Sequence, residues 1–171
     1  ILFQKATDYN KKFGFNVIPL KGKQPYTGSW SKWQNQTQSV NDIRSFDWRN
    51  STGIGIIQGI NSLRVLDFDG VVDYEIVDSF LKELGLGDNY EWVTKTGSGK
   101  GAHIVIKVND EKIFVDYFAG TGIVKLQPKE GNYCKHIELR WKNCYSAFPP
   151  SIHPDTSGIY TFYNQSDVPN S

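Results

Sequence analysis

The segment Leu63-Arg64-Val65-Leu66-Asp67-Phe68-Asp69-Gly70 constrains this chain more than any other. Its content reads as a strand, in which successive side chains point to opposite faces. Leu66 and Phe68 then enter a core, while Asp67 and Asp69 stand together on the other face. Two carboxylates at that spacing repel each other unless a cation or a donor lies between them, and a hard divalent ion such as Mg²⁺ answers both. A solvated strand end with two ordinary acids is the plainer alternative. The position of the pair, closing an apolar strand and followed by Gly70, favours the metal.

A third acid comes from His136-Ile137-Glu138-Leu139-Arg140-Trp141. Here Ile137, Leu139 and Trp141 share one face and leave His136, Glu138 and Arg140 on the other. Taken alone, Glu138 with Arg140 is a surface ion pair. Beside the Asp67 strand, Glu138 completes a three-carboxylate cage for one or two metals, which is what phosphoryl or nucleotidyl transfer needs.

Two further segments offer polar groups. Residues 94–107 carry Gly97, Gly99 and Gly101 with Ser98 and Lys100, supplying backbone N–H groups and a cation suited to phosphate oxygens. The order is not that of a Walker loop, and a plain hairpin is the simpler reading. His103 begins the strand that follows. In Tyr145-Ser146-Ala147-Phe148-Pro149-Pro150-Ser151-Ile152-His153, two prolines stiffen the exit from a strand and hold Ser151 and His153 as candidate ligand donors, unless they merely end an edge strand.

Around these lies an α+β pattern. Phe3, Ala6, Tyr9 and Phe13 predict an amphipathic helix closed by Gly14, and residues 15–20 a strand. Residues 21–28 are turn-rich and lead to Trp30 and Trp33. Ser39 and Asp42 mark a helix start with Ile43, Phe46 and Trp48 buried. Strands follow at 54–58 and 63–69, then a helix over 71–84 with Tyr74, Val77, Leu81 and Leu84 inward, ending at Gly85. Beyond it the chain reads as mostly β, at 91–96, 102–108, 123–127, 136–141, 145–148 and 158–163, in a mainly antiparallel sheet of the second half.

Composition sets the bounds. The 171 residues suit one compact or two-lobed domain, and 39% hydrophobic with 22% charged residues fills a real core. No apolar run approaches the ~20 residues needed to span a bilayer, so a soluble domain is expected, and the two cysteines make a reducing cytoplasm the expected location. The formal charge of +1 gives no electrostatic hint of a nucleic-acid partner. The absence of Met suggests a piece of a longer protein. Cys134 and Cys144 are too few for a disulfide scaffold. With His136 they make three zinc ligands without a fourth at any familiar spacing, so structural zinc is not expected.

Together and in this order, the segments resemble the primase-polymerase (prim-pol) branch of the archaeo-eukaryotic primase superfamily over nearly the whole chain. Residues 14–20 with Lys23, Pro25 and Trp30 are similar to its N-terminal signature, residues 65–69 to its first metal motif, and residues 98–103 to its histidine motif. Ile137-Glu138 resembles its third acidic motif and residues 149–154 its Pro-Pro-Ser-x-His segment. The resemblance implies a two-lobed fold with an RRM-like catalytic half, in a single domain over residues 1–171 taken from a longer replication or CRISPR-associated protein. It implies synthesis on single-stranded DNA or a primer-template from NTPs or dNTPs with Mg²⁺ or Mn²⁺ in a two-metal site. Asp67, Asp69 and Glu138 would hold the metals and His103 would meet the nucleotide phosphates. Ser98, Lys100 and Arg140 would assist, with Ser151 and His153 as further nucleotide contacts and Trp30 and Trp33 as stacking surfaces. Further domains of the same polypeptide would be partners.

Two rivals remain. Asp67-Phe68-Asp69-Gly70 also resembles the nucleophile loop of haloacid-dehalogenase phosphatases, although Gly87-Asp88 follows too soon to serve as the later acidic pair and the β-rich end suits no parallel sheet. A catalytically silent module that binds nucleotides or DNA is the other.

Overall fold

The computed structural model describes residues 1–118, 122–126 and 133–170, the side chain of Phe118 excepted. The described residues form an α+β fold whose paired strands are all antiparallel. Helix α1 (Leu2–Phe13) buries Ala6 and Tyr9 and ends where Gly14 turns into the left-handed region at φ 72°, returning its N–H to the Asn10 carbonyl. Strands β1 (Val17–Lys21) and β2 (Gln24–Pro25) follow. Helix α2 (Val40–Arg44) starts on the expected capping box, with Ser39 N–H donating to the Asp42 carboxylate at 2.7 Å and Asp42 N–H to the Ser39 hydroxyl at 3.2 Å.

Two sheets then share the chain. Strand β3 (Gly53–Gln58) pairs with β1 and with β9 (Cys144–Phe148), giving the order β2-β1-β3-β9. The second sheet has β4 (Leu63–Asp69) between β6 (Gly101–Lys107) and β8 (His136–Arg140). Strands β5 (Val93–Lys95) and β10 (Thr161–Phe162) extend it on one side and β7 (Ile123–Leu126) on the other. The expected sheet of the second half is therefore two sheets, and one of them joins the first strands to β9. Of the strand expected at 123–127, Gln127 lies outside the described residues.

Apolar side chains explain the layering. Ala6, Tyr9, Ile43, Ile54, Ile56 and Phe148 meet Leu63, Val65 and Val105 in one core that binds α1, α2 and both sheets. On the far face of the larger sheet, Leu66, Phe68, Ile104, Ile137 and Leu139 pack against helix α3 (Glu75–Glu83) and helix α4 (Glu111–Phe118). Trp33 fills a smaller core on the outer face of β1 and β3. The larger sheet is thus amphipathic along its length: even positions of β4 stay dry, and odd positions run from core to acid.

One expected helix is shortened and another helix is new. Helix α3 starts at Glu75, because the N–H groups of Val71, Val72 and Asp73 bond to the carbonyls of Lys100 and Tyr133, and Leu84 is 44% exposed. Helix α4 has no counterpart in the sequence reading. At its start the Asp110 carboxylate accepts the Ile113 N–H, and Phe114 stacks flat on Trp141 at 4.5 Å.

After β9 the chain crosses back over β3. There the Ser151 hydroxyl donates to the Phe148 carbonyl at 2.6 Å and accepts the Ile54 N–H at 2.8 Å. Removing it strands a buried donor, so Ser151→Ala is expected to cost about 1–3 kcal/mol in urea unfolding. An unchanged midpoint would show that this tie does not hold the crossover. Gly97 and Gly158 pack back to back so closely that a Cβ on either meets the other's carbonyl oxygen. Gly158→Ala is expected to separate their loops and lower the melting temperature, and a variant as stable as the parent would remove that contact from the account.

Candidate active site

The acidic row is a product of register. Asp67 on β4 lies directly opposite His103 on β6 and Glu138 on β8, while Asp69 lies opposite Gly101 and His136. Thr94 on β5 and Lys125 on β7 extend the row to either side. Leu63 and Val65 are buried on the same face of β4, so the row begins where the core between the sheets ends. A cleft of about 510 Å³ opens there, lined by Asp67, Asp69, His103 and Arg140.

Asp67 is the most engaged of the acids. His103 Nε2 stands 3.2 Å from its Oδ1 and Arg140 Nη1 3.5 Å from its Oδ2, and the same guanidinium nitrogen is 3.9 Å from Glu138 Oε2. Burial works to raise the Asp67 carboxyl, but His103 first and Arg140 after it outweigh burial and hold it below the usual range. Asp69 is exposed and accepts only the adjacent Gly70 N–H at 3.0 Å among the described residues. Buried His103 Nδ1 has no hydrogen-bond partner among the described residues.

Beside the row, the glycine-rich segment forms the hairpin between β5 and β6. The Ser98 hydroxyl meets Thr96 Oγ1 at 2.9 Å and accepts the Lys100 N–H at 3.1 Å, and both Thr96 and Ser98 line the cleft. The Lys100 side chain is exposed and stands outside the lining. The Gly97–Gly158 contact, with Thr156 Oγ1 donating to the Gly97 carbonyl at 2.6 Å, locks this hairpin to the loop that bears His153. There His153 Nδ1 accepts N–H groups from Asp155 and Thr156 at 3.2 and 3.4 Å. The neutral ring then carries its proton on Nε2, as a donor on the cleft wall. Tyr160 lies between the two histidines, 6.4 Å from each ring, and burial with the charges of Asp67 and Asp69 pushes its hydroxyl above the usual value.

The opposite wall belongs to the smaller sheet. Tyr145, Ser146 and Ala147 of β9 line it with Lys23 and Trp30. Trp30 stands edge-on to Tyr145 at 5.4 Å, and the Tyr145 hydroxyl donates to the Lys23 carbonyl at 2.7 Å. The loop that carries Trp30 is tied down by buried Asn16, whose Nδ2 donates to the carbonyls of Trp33 and Gln36 at 2.7 and 2.6 Å.

The structure therefore gathers Asp67, Asp69, Ser98, His103, Arg140, His153 and Trp30 at one cleft, with Glu138 beside Asp67 on the same face. It does not bring Ser151 there: that residue is 2% exposed and its hydroxyl serves the crossover. Trp33 is 6% exposed in a core and offers no stacking face. Lys23, Tyr145 and Tyr160 join the site without having been singled out for it. The tyrosines flank the Pro-Pro segment in sequence, a signal that an aromatic with a polar tip beside a rigid loop makes usable.

Three carboxylates without a thiolate suit a hard divalent cation by donor chemistry. Their resting arrangement is looser than a formed centre, since among the described residues no three His, Cys, Asp or Glu side chains are gathered as metal ligands. The thiols lie apart from one another: Cys134 Sγ donates to the Asp69 carbonyl at 3.0 Å, and Cys144 Sγ meets Gln58 Oε1 at 3.5 Å. No helix among the described residues is long and apolar enough to cross a membrane.

Comparison with known families places this cleft in context. No curated protein matches the chain. The family model described as "Bifunctional DNA primase/polymerase, N-terminal" matches residues 6–171, a span that includes both sheets and every cleft residue named above. The chain belongs to this Prim-Pol family of DNA primase/polymerases.

Proposed function

We propose that this chain performs template-directed nucleotidyl transfer on single-stranded DNA, as primase, polymerase or both, with NTPs or dNTPs as substrates and Mg²⁺ or Mn²⁺ as metal. Family membership supports the DNA chemistry. The observation that carries the mechanism is the row His103–Asp67–Glu138, set by strand pairing, with His103 and Asp67 lining a cleft between two sheets and Glu138 beside Asp67 on the same face. The larger sheet, with its helices on one face and the acidic row on the other, is read as the RRM-like catalytic half, and the described chain as one catalytic unit.

In this reading Asp67, Asp69 and Glu138 would hold the divalent cations. When bound, such ions neutralise phosphate charge and activate the attacking hydroxyl. The chain's own groups bind and orient. His153 presents an Nε2–H from a loop fixed by two backbone donors, suited to a triphosphate oxygen. His103 adds a second imidazole beside the same space, and the Ser98 hairpin offers its backbone. Trp30 and Lys23, across the cleft, suit a base and a backbone phosphate of the template. The antiparallel neighbours on both sides of β4 weigh against the phosphatase alternative, which needs a parallel sheet.

Incubated with single-stranded DNA, labelled NTPs or dNTPs and Mg²⁺ or Mn²⁺, the protein is expected to make or extend strands, whereas Asp67→Ala with Asp69→Ala is not. Equal product from both would end the catalytic assignment and leave a binding module; steady phosphate release without synthesis would favour the phosphatase. Loss of one charge-assisted hydrogen bond costs about 1.5–3 kcal/mol, so His153→Ala is expected to raise KM for the nucleotide roughly 10- to 100-fold in steady-state extension assays. An unchanged KM would remove His153 from the nucleotide site.

A further inference from the structure

The two arginines on the strands around Asp67 are held in different ways. Arg64, on the dry face of β4, is built in: its guanidinium donates to the Trp141 carbonyl at 2.7 Å, lies 4.1 Å over the Trp141 ring and pairs with Glu111 at 3.3 Å. Arg140 is held by side chains alone among the described residues, its partners being Asp67, Glu138 and the Cys144 thiol. It is register partner to Val65, two residues before Asp67, so its side chain reaches along the sheet to the acids. One nitrogen, Nη1, serves both carboxylates at 3.5 and 3.9 Å, beyond the 2.7–3.2 Å of a good hydrogen bond. Its Nε is buried without a partner among the described residues.

Charge gives this pose its reason. Asp67 and Glu138 are directly opposed across two strands, an arrangement that is destabilising for like charges unless a cation lies between them. Lys125 stands on the far side of Glu138 and His103 on the far side of Asp67, so Arg140 is the cation shared by both acids. We propose that Arg140 is the resident counter-ion of the acidic row, and that a divalent cation enters by displacing its guanidinium from Asp67 and Glu138. A doubly charged ion at oxygen contact distance, about 2.1 Å, outcompetes a single delocalised charge held at longer range. Metal uptake is then an exchange of cations, and in the metal-free protein Arg140 offsets part of the acids' charge without their being gathered into a cage. The inference rests on the metal reading given above.

The test is Mn²⁺ binding followed by the electron paramagnetic resonance of the free ion, without nucleotide or DNA. Arg140→Gln keeps length and polarity but removes the competing charge, and is expected to bind Mn²⁺ about tenfold more tightly than the parent. Lys95→Gln, on the other face of the sheet, is expected to bind as the parent does. Equal or weaker binding by Arg140→Gln, with the parent binding normally, overturns the inference. Absence of binding in the parent overturns the metal reading itself. A second measurement uses the unaltered protein: the Arg140 side-chain Nε–H resonance is expected to shift and exchange faster with solvent on saturation with Mg²⁺. A resonance that stays in place while Mg²⁺ binds overturns the displacement, whether or not the glutamine variant folds.

Discussion

The register of β4 against its two neighbours is the constraint on which the rest depends. Asp67 keeps 20% of its side-chain surface exposed, and a carboxylate so far removed from water needs charged or donor partners. His103 and Arg140 supply them from two different strands. A slip of one residue on either side would exchange the faces, turning Phe68 into the cleft and Asp67 into the core of Leu66, Ile104 and Ile137. Packing and electrostatics therefore select the same pairing, and the site is assembled by the forces that close the sheet.

Much of this was legible along the chain because its signals are local. The alternation in Leu63–Asp69 and His136–Arg140 assigns every side chain to the face it takes, and adjacency of the two strands is what the carboxylates would require if they acted together. The capping box at Ser39 and the left-handed Gly14 also depend on a few consecutive residues. What stayed hidden depends on partners distant in sequence. Ser151 looked like a donor on a rigid loop, yet its hydroxyl belongs to Ile54, 97 residues away. Trp33 looked like a surface aromatic until β1 and β3 covered it. Helix α4 is only eight residues long, and its tie to the sheet passes through Trp141, Arg64 and Glu111, which no window of sequence holds together.

The cleft has a similar origin. Neither sheet encloses it alone, and the sequence gives no boundary between them, because β9 returns from the second half to pair with β3. That return sets Tyr145 and Ser146 opposite the acidic row. The other closure is made by two glycines. Gly97 sits in a segment that invited a phosphate-loop reading, and part of its purpose is close packing against Gly158, which brings His153 alongside the Ser98 hairpin. A glycine chosen for the absence of a side chain and one chosen for contact with a ligand look alike in sequence.

The overall charge of +1 conceals how the cleft is divided. Residues 9–41 hold five lysines, Lys11, Lys12, Lys21, Lys23 and Lys32, and no acid. Of these, Lys23 lines the cleft with Trp30 on the side of the smaller sheet. The acids Asp67, Asp69 and Glu138 belong to the larger one. A polyanion entering the cleft meets Lys23 on one wall and the acids on the other, and is repelled from the acidic side until that side is neutralised. Arg140 alone offsets one of three negative charges, and a divalent cation offsets two. Metal entry would therefore weaken the negative field along that wall, so that metal and polyanion would each favour the binding of the other.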